Sequence, residues 1–308
     1  MIKIDLITGF LGSGKTTFIK KYVNYLLEED IRVGIIENDF GAVNVDMMLL
    51  HDLLSNQCEI EMINGAGDRE SHTRRLKTKL IAMKMRGVNR VIMEPSGIYD
   101  VDEFFDILHE EPLNQWYKIG NVVTIVDSHI APELSKQARY LLATQIFYAG
   151  KIILSKVQDA SPQTIENTVK YINESLQMFH AQKKNEEDLL IKDWQYLTRD
   201  DYLEIKNSGY HQGSLEKFWF DYQEVFQTLY FMNKKITKEQ LPGIVTNIFN
   251  DHQCGNVLRI KGFIKDSEIW YELNAMKNHL EFKEIEKGQE IIIIIGENLH
   301  EQGIERYF

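Results

Sequence analysis

Residues 9–17 carry the clearest chemical signature in this chain. They read Gly-Phe-Leu-Gly-Ser-Gly-Lys-Thr-Thr, which satisfies the pattern Gly-x-x-x-x-Gly-Lys-Ser/Thr of a phosphate-binding loop. We expect the ammonium group of Lys15 to reach the β- and γ-phosphates of a nucleotide, and the hydroxyl of Thr16 to bind Mg²⁺. The predicted nucleotide-binding residues of the loop are Gly9, Gly12, Ser13, Gly14, Lys15, Thr16 and Thr17.

The segments around this loop are those that the motif needs. Residues 2–8 form an apolar run typical of a short buried strand, and residues 17–29 have apolar side chains at helical spacing. Glycines lack a Cβ, so the loop can curl until its N–H groups converge on one anion. The N-terminus of the following helix adds free N–H groups and the positive end of the helix dipole. Strand, loop and helix together therefore predict an anion site.

Acidic residues follow a second predicted strand, at residues 32–37. Ligands of parallel sheets bind where the carboxyl ends of the strands emerge, so Glu37, Asp39 and Asp46 are candidates to face Mg²⁺ or the γ-phosphate. The alternative for each of them is a polar residue that merely forms a turn.

The predicted strand at residues 90–93 ends in Glu94, and Gly97 follows three residues later. This pattern is typical of the segment that senses the γ-phosphate in nucleotide switches. We expect Glu94 to bind the metal or to position water, and the N–H of Gly97 to contact the γ-phosphate. Lys15, Glu94 and Asp39 are thus the predicted catalytic residues.

The order of elements predicts an α/β fold. Further strands are predicted at residues 59–63, 121–126 and 151–154, and helices at residues 69–86 and from residue 161. Alternation of strands and helices indicates a mainly parallel sheet covered by helices on both faces.

Three regions are expected along the chain. Residues 1–180 form the nucleotide-binding domain, and residues 181–217 form a charged linker or connection. Residues 218–308 contain strands that return without intervening helices, which predicts a smaller α+β domain with an antiparallel sheet.

The composition limits the partners. The chain has 308 residues and a net charge of −11, which argues against nucleic acid and against an anionic membrane surface. Two cysteines give no disulfide framework, and no apolar run approaches the length of a membrane span. The first residues lead directly into a strand rather than a signal peptide, so we expect a cytoplasmic protein. The oligomeric state stays open.

These landmarks together resemble the CobW-type P-loop GTPases, relatives of the UreG and HypB metallochaperones. The resemblance covers most of the chain. It rests on residues 8–17, 37–41 with Asp46, 94–97, 126–127, Gln145, 258–263 and 295–299. It implies GTP as the nucleotide, Mg²⁺ as the cofactor and a client protein, for example a metalloenzyme, as the partner.

The chain departs from this family at the metal motif. Family members carry Cys-x-Cys-Cys after Asn-Gly, whereas residues 66–69 of this chain read Ala-Gly-Asp-Arg. Without thiolates a soft-metal site is not expected there. Glu37, Asp68 and His72 could form a harder oxygen and nitrogen site for a second metal. The alternative for Asp68 and His72 is a solvated helix face.

The second departure concerns the loop that reads the base. The family pattern Asn-Lys-x-Asp corresponds to Ser155, Lys156, Val157 and Gln158 here. A neutral amide at Gln158 lacks the charge assistance that a carboxylate gives to guanine. Asp159 substitutes for it if the loop shifts by one residue. The resemblance therefore implies a weakened guanine preference and leaves ATP open.

The leading hypothesis is a Mg²⁺-dependent, slowly hydrolysing GTPase that acts as a switch on a client protein. One alternative is metal insertion through the non-cysteine site. Another is an interaction protein that binds nucleotide without hydrolysing it. A small-molecule P-loop kinase is disfavoured because the sequence shows no lid-like arginine cluster.

Overall fold

The computed structural model describes residues 1–39, 50–64, 69–99, 101–130, 134–213, 215–277 and 279–308. The chain divides into two compact units, Met1–Phe218 and Trp219–Phe308. Among the residues described, no helix is long and apolar enough to cross a membrane.

The first unit is built on a parallel sheet. Its described strands are β1 Ile2–Thr8, β2 Val33–Asp39, β3 Cys58–Asn64, β4 Arg90–Glu94, β5 Tyr117–Asp127, β6 Lys151–Ser155 and β7 Leu189–Leu190. Their order is β3-β2-β4-β1-β5-β6-β7, and every described pairing is parallel. The loop of residues 9–14 follows β1, which lies between β4 and β5. The carboxyl ends of β4 and β5 therefore flank it.

Helices cover both faces of this sheet. They are α1 Lys15–Glu28, α2 Arg69–Met85, α3 Val101–His109, α4 Leu113–Trp116, α5 Lys136–Tyr148, α6 Pro162–Met178 and α7 Arg199–Lys206. Successive residues of β2 point to opposite faces: Ile35 joins the apolar cluster under α1, and Ile36 joins the cluster under α2 and α3. The predicted α/β class is confirmed.

Residues 181–217, predicted as a charged connection, lie inside the first unit. β7 pairs with β6, and Ile205 of α7 is fully buried in the cluster under α1. The carbonyl oxygen of Lys206 accepts hydrogen bonds from Arg90 (3.3 Å) and Asn121 (3.0 Å). A two-residue strand and an eight-residue helix carry too little periodicity for a pattern to reveal them.

The second unit contains an antiparallel sheet. Its described elements are α8 Tyr222–Val225, β8 Phe226–Met232, α9 Leu241–Asn250, β9 Asn256–Asp266, β10 Ile269–Met276, β11 His279–Ile285, β12 Ile291–Glu297 and α10 Glu301–Glu305. The strand order is β11-β10-β9-β12-β8. The sequence places a helix start at Thr237. Thr237 and Gln240 do exchange the two hydrogen bonds of a capping box, but α9 begins one turn later.

Candidate functional site

The loop after β1 has the backbone of an anion cradle. Gly9 has φ of 149°, and a Cβ on it would lie 2.3 Å from the carbonyl oxygen of Ile125. Gly14 has φ of 94° and caps α1, whose first turn closes through the hydrogen bond from the N–H of Phe18 to the carbonyl of Gly14 (3.0 Å). Because first-turn N–H groups have no acceptor inside a helix, the start of α1 offers donors to an anion.

Lys15, Thr16 and Glu94 are brought together at this loop. The Nζ of Lys15 donates to the carbonyl oxygen of Gly9 (3.1 Å), so its ammonium lies over the loop rather than in solvent. The hydroxyl of Thr16 donates to Oε1 of Glu94, which ends β4 (2.8 Å). The exposed fractions of the three residues are 7%, 9% and 5%. A cation, a hydroxyl and a carboxylate thus share one buried edge of the sheet.

Glu37 adds a second carboxylate at the same level. It is the register partner of Glu94 on the neighbouring strand β2 and is 1% exposed. Hydroxyl and carboxylate oxygens are hard ligands that suit Mg²⁺. The donor set of Thr16, Glu94 and Glu37 therefore fits this ion. Asp39 ends β2, but its side chain lies outside the described part of the structure.

Gly97 lies against the phosphate-binding loop. A Cβ on Gly97 would lie 2.8 Å from the backbone nitrogen of Leu11, so only glycine allows this approach. The fully buried Gln145 of α5 donates through Nε2 to the carbonyls of Gly97 (3.3 Å) and Tyr99 (3.4 Å). Gln145 is therefore the anchor of the turn that carries Gly97. Its partners lie more than 40 residues earlier in the chain, so the sequence contains no local signal for this role.

The predicted base-reading residues line the end of β6. Lys156 has φ of 55°, and its Nζ contacts Oδ2 of Asp127 at the end of β5 (2.6 Å). Ser155 donates through Oγ to the carbonyl of Val126 (3.4 Å). Gln158 and Asp159 are exposed, and Nε2 of Gln158 donates to Oδ2 of Asp159 (2.9 Å). Amide and carboxylate are thus side by side in one turn.

The predicted second metal site is only partly described. Asp68 and Asp46 lie outside the described residues. His72 is buried on α2, where its Nδ1 is 3.9 Å from Oε1 of Glu103 and its ring centroid is 6.5 Å from that of Tyr99. Within the described ranges, no group of three or more His, Cys, Asp or Glu side chains could hold a metal ion.

The two cysteines are buried free thiols. Burial raises the pKa of the Cys58 thiol to about 11, with a smaller contribution from the charge of Glu59. Burial also raises the pKa of Cys254. Because the thiolate is the form that binds metal, neither cysteine compensates for the missing cysteine motif.

Trp194 lies beside the phosphate-binding loop but belongs to no recognised sequence motif. Trp194 lies in the predicted connection, yet a Cβ on Gly14 would lie 3.4 Å from Cη2 of its indole ring. The only sequence signal is a large aromatic residue inside a charged stretch.

The fold and the loop define the class of P-loop nucleotide-binding proteins. A family model described as "CobW/HypB/UreG, nucleotide-binding domain" matches residues 3–184. The chain belongs to this family, as the resemblance of its motifs implied.

Several curated relatives are similar to this chain. Zinc chaperone YjiA of Escherichia coli (strain K12) is 29% identical over 169 residues, which are 52% of this chain and 50% of that protein. Zinc-regulated GTPase metalloprotein activator 1 of Dictyostelium discoideum is 23% identical over 312 residues, which are 85% of this chain and 62% of that protein. The chain thus spans about half to two thirds of the length of these two relatives.

Solved structures are similar at a low level. A crystal structure of Zn(II)-bound YjiA GTPase from E. coli covers 100% of this chain and 98% of that one, with a TM-score of 0.40 and 19% identity. Hydrogenase maturation factor HypB from Archaeoglobus fulgidus covers 66% of this chain and 87% of that one, with a TM-score of 0.42 and 16% identity. Similarity at this level carries no conclusion about this chain.

Proposed function

We propose that this protein binds GTP with Mg²⁺, hydrolyses it slowly and acts as a nucleotide switch on a client protein. The single observation that carries the proposal is the hydrogen bond between Thr16 and Glu94, buried beside Lys15 at the start of α1. Thr16 and Glu94 are 78 residues apart in the chain, and the fold brings them together with Lys15 at an anion cradle.

The chain's own groups account for phosphate binding. The N–H groups at the start of α1 and the ammonium of Lys15 donate to the β- and γ-phosphates. The protein holds these donors in place before the ligand arrives, so binding costs little reorganisation. Thr16, Glu94 and Glu37 would hold Mg²⁺ through their oxygen atoms. When bound, this ion neutralises charge on the phosphates. We assign Asp39, at the end of β2, to contact with the γ-phosphate.

We expect slow hydrolysis because Gln145 has a structural role at the Gly97 turn. A water-orienting glutamine must reach the attacking water, but Gln145 is fully buried, and its amide nitrogen donates to two backbone carbonyls. We assign no arginine finger within the described residues. A client protein then supplies the missing group, and catalysis depends on its docking.

Gly97 provides the switch. Its close approach to Leu11 means that movement of the turn and movement of the phosphate-binding loop are sterically linked. In the GTP state the N–H of Gly97 donates to the γ-phosphate. Loss of that phosphate releases the turn and changes the surface that a client sees.

The choice of base depends on two neighbouring acceptor oxygens, those of Gln158 and Asp159. Guanine offers N1–H and N2–H donors, and the adjacent oxygens of Gln158 and Asp159 accept them, while the stem of Lys156 packs on the ring beside Ser155. The carboxylate of Asp159 gives the stronger bond. Because these residues are exposed, GTP is preferred only modestly and ATP is tolerated.

The second unit is our proposed docking surface for the client. Residues 218–308 are proposed as a CobW C-terminal-like domain, and we place the protein in the cytoplasm. Relatives named as zinc chaperones favour a metalloenzyme client and a metal-delivery role. In that second candidate function, Glu37, Asp68 and His72 bind the delivered metal. Calorimetric titration with Zn²⁺ tests this function. If Asp68→Ala binds Zn²⁺ as tightly as the unmodified protein does, the metal-delivery hypothesis is wrong.

The test of the main proposal uses Lys15→Ala with Lys20→Ala as the matched control. Lys20 lies on the same helix, and its Nζ pairs with Asp52 away from the loop (2.7 Å). We expect Lys15→Ala to lose GTP binding and phosphate release by about a hundredfold or more, whereas Lys20→Ala retains both. GTP hydrolysis that survives Lys15→Ala removes the proposal. Binding without phosphate release, even with a client present, favours the non-hydrolysing interaction protein.

A further inference from the structure

Trp194 lies at the rim of the phosphate-binding loop, on the side of the base-reading loop. A Cβ on Gly14 would lie 3.4 Å from Cη2 of Trp194, 3.7 Å from its Cζ3 and 3.8 Å from Cβ of Ser155. The indole therefore flanks the last glycine of the loop together with the residue that begins the base-reading loop. The side chain is only partly buried, so part of its surface is open to a ligand.

The indole is held in place within the protein. Its Nε1–H donates to the carbonyl oxygen of Leu154 in β6 (2.9 Å), and its ring meets that of Phe18 edge-on with centroids 5.6 Å apart. A ring that is fixed before binding loses little conformational entropy when a ligand packs on it.

The segment around Trp194 is also fixed. Nζ of Lys192 contacts Oδ2 of Asp201 in α7 (2.6 Å), and the side chain of Asp193 accepts from the N–H of Gln195 (2.9 Å). Burial by itself would raise the pKa of Asp201, but hydrogen bonds from Lys192 and Thr198 outweigh it and lower the pKa. The carboxylate that holds Lys192 is thus charged at neutral pH.

We propose that Trp194 forms an aromatic wall of the base and ribose subsite of a purine nucleotide. This inference rests on the proposed function. A nucleotide with its phosphates at Lys15 and its base at Asp159 passes Gly14 and Ser155, which are the residues beside the indole.

An aromatic wall explains how the protein can bind a nucleotide although Gln158 and Asp159 recognise the base only weakly. Every base has a π-face, so contact with an aromatic ring stabilises guanine and adenine alike. Trp194 then supplies affinity that does not depend on Gln158 and Asp159. It is a positioning residue for the nucleoside, not for the phosphates.

The test compares Trp194→Leu with Trp116→Leu in the full chain. Trp116 ends α4 and directly precedes β5, so it lies at the amino ends of the parallel strands, whereas the phosphate-binding loop follows the carboxyl end of β1. Calorimetry with GDP, ADP and pyrophosphate is expected to show that Trp194→Leu weakens GDP and ADP each about tenfold and leaves pyrophosphate within about twofold. Trp116→Leu leaves all three unchanged. Unchanged GDP affinity in Trp194→Leu, or an equal loss of pyrophosphate, overturns the inference.

Tryptophan fluorescence keeps the inference testable if the leucine variant fails to fold. We expect GDP, but not pyrophosphate, to change the emission of the unmodified protein, and this change to vanish in Trp194→Phe and persist in Trp116→Phe. GDP binding without a change that depends on Trp194 overturns the inference alone. An unmodified protein that binds no nucleotide overturns the proposed function together with it.

Discussion

The phosphate side and the base side of the proposed site are built differently. Lys15, Thr16 and Glu94 are nearly inaccessible, and each is held by partners on other elements. Gln158 and Asp159 are exposed in a single turn, where their side chains bond to one another. In our proposal, the protein interior fixes the phosphate geometry, and a solvent-facing loop chooses the base. We expect changes on the phosphate side to abolish function and changes on the base side to adjust it.

The largest effect is expected from the metal ligands. Thr16→Ala removes the donor of a buried hydrogen bond and a hydroxyl ligand of Mg²⁺, whereas Glu94→Gln keeps an acceptor oxygen but removes the negative charge that would bind the ion. Single-turnover phosphate release should fall about a hundredfold or more, and its dependence on Mg²⁺ concentration should disappear. Thr78→Ala, at an exposed threonine of α2, is the control and keeps both. Unaltered Mg²⁺ dependence in Glu94→Gln would show that the phosphate side is not organised around this carboxylate.

An intermediate effect is expected at the anchor of the Gly97 turn. Gln145→Leu leaves the carbonyls of Gly97 and Tyr99 without their donor in the protein interior. The free energy of unfolding should fall by about 2 kcal/mol, the usual cost of such unsatisfied groups. Gln163→Leu makes the same change at an exposed residue of α6 and should alter stability by less than about 0.5 kcal/mol. Equal denaturation midpoints for the two variants would contradict this role of Gln145.

The smallest effect is expected on the base side. Gln158→Asp places a carboxylate where the family has one, so the preference for GTP over ATP should rise about tenfold. Asp159→Asn should lower that preference, because the charge-assisted acceptor is lost. Competition binding measures both ratios, and the affinity for inorganic tripolyphosphate serves as the internal control. A Gln158→Asp protein that still does not discriminate would place base recognition elsewhere.

Local patterns located the residues that the fold gathers at the phosphate-binding loop. The glycines, Lys15 and Thr16 are adjacent in the chain, and strand ends located Glu37 and Glu94 at one edge of a parallel sheet. The fold class followed from the same alternation of strands and helices. These placements depend on interactions between residues close together in the chain, and such interactions leave periodic and turn patterns in the sequence.

Other parts of the site depend on contacts between distant segments. Trp194 reaches Gly14 only because β7 adds to the sheet beside β6, and two residues of strand leave no pattern. Asp5 is a similar case, a fully buried acid within β1. It is accommodated by Arg90 (2.6 Å), Tyr22 (3.1 Å) and Asn121 (3.0 Å), which come from three other elements. Charge compensation of this kind cannot be read from one segment of sequence.

A crystal structure with a non-hydrolysable GTP analogue and Mg²⁺ tests the central claim most directly. We predict that Nζ of Lys15 leaves the carbonyl of Gly9 for the β- and γ-phosphates, with Thr16 and Glu94 facing the ion. An analogue bound elsewhere, with Lys15 still on the carbonyl of Gly9, would contradict the account.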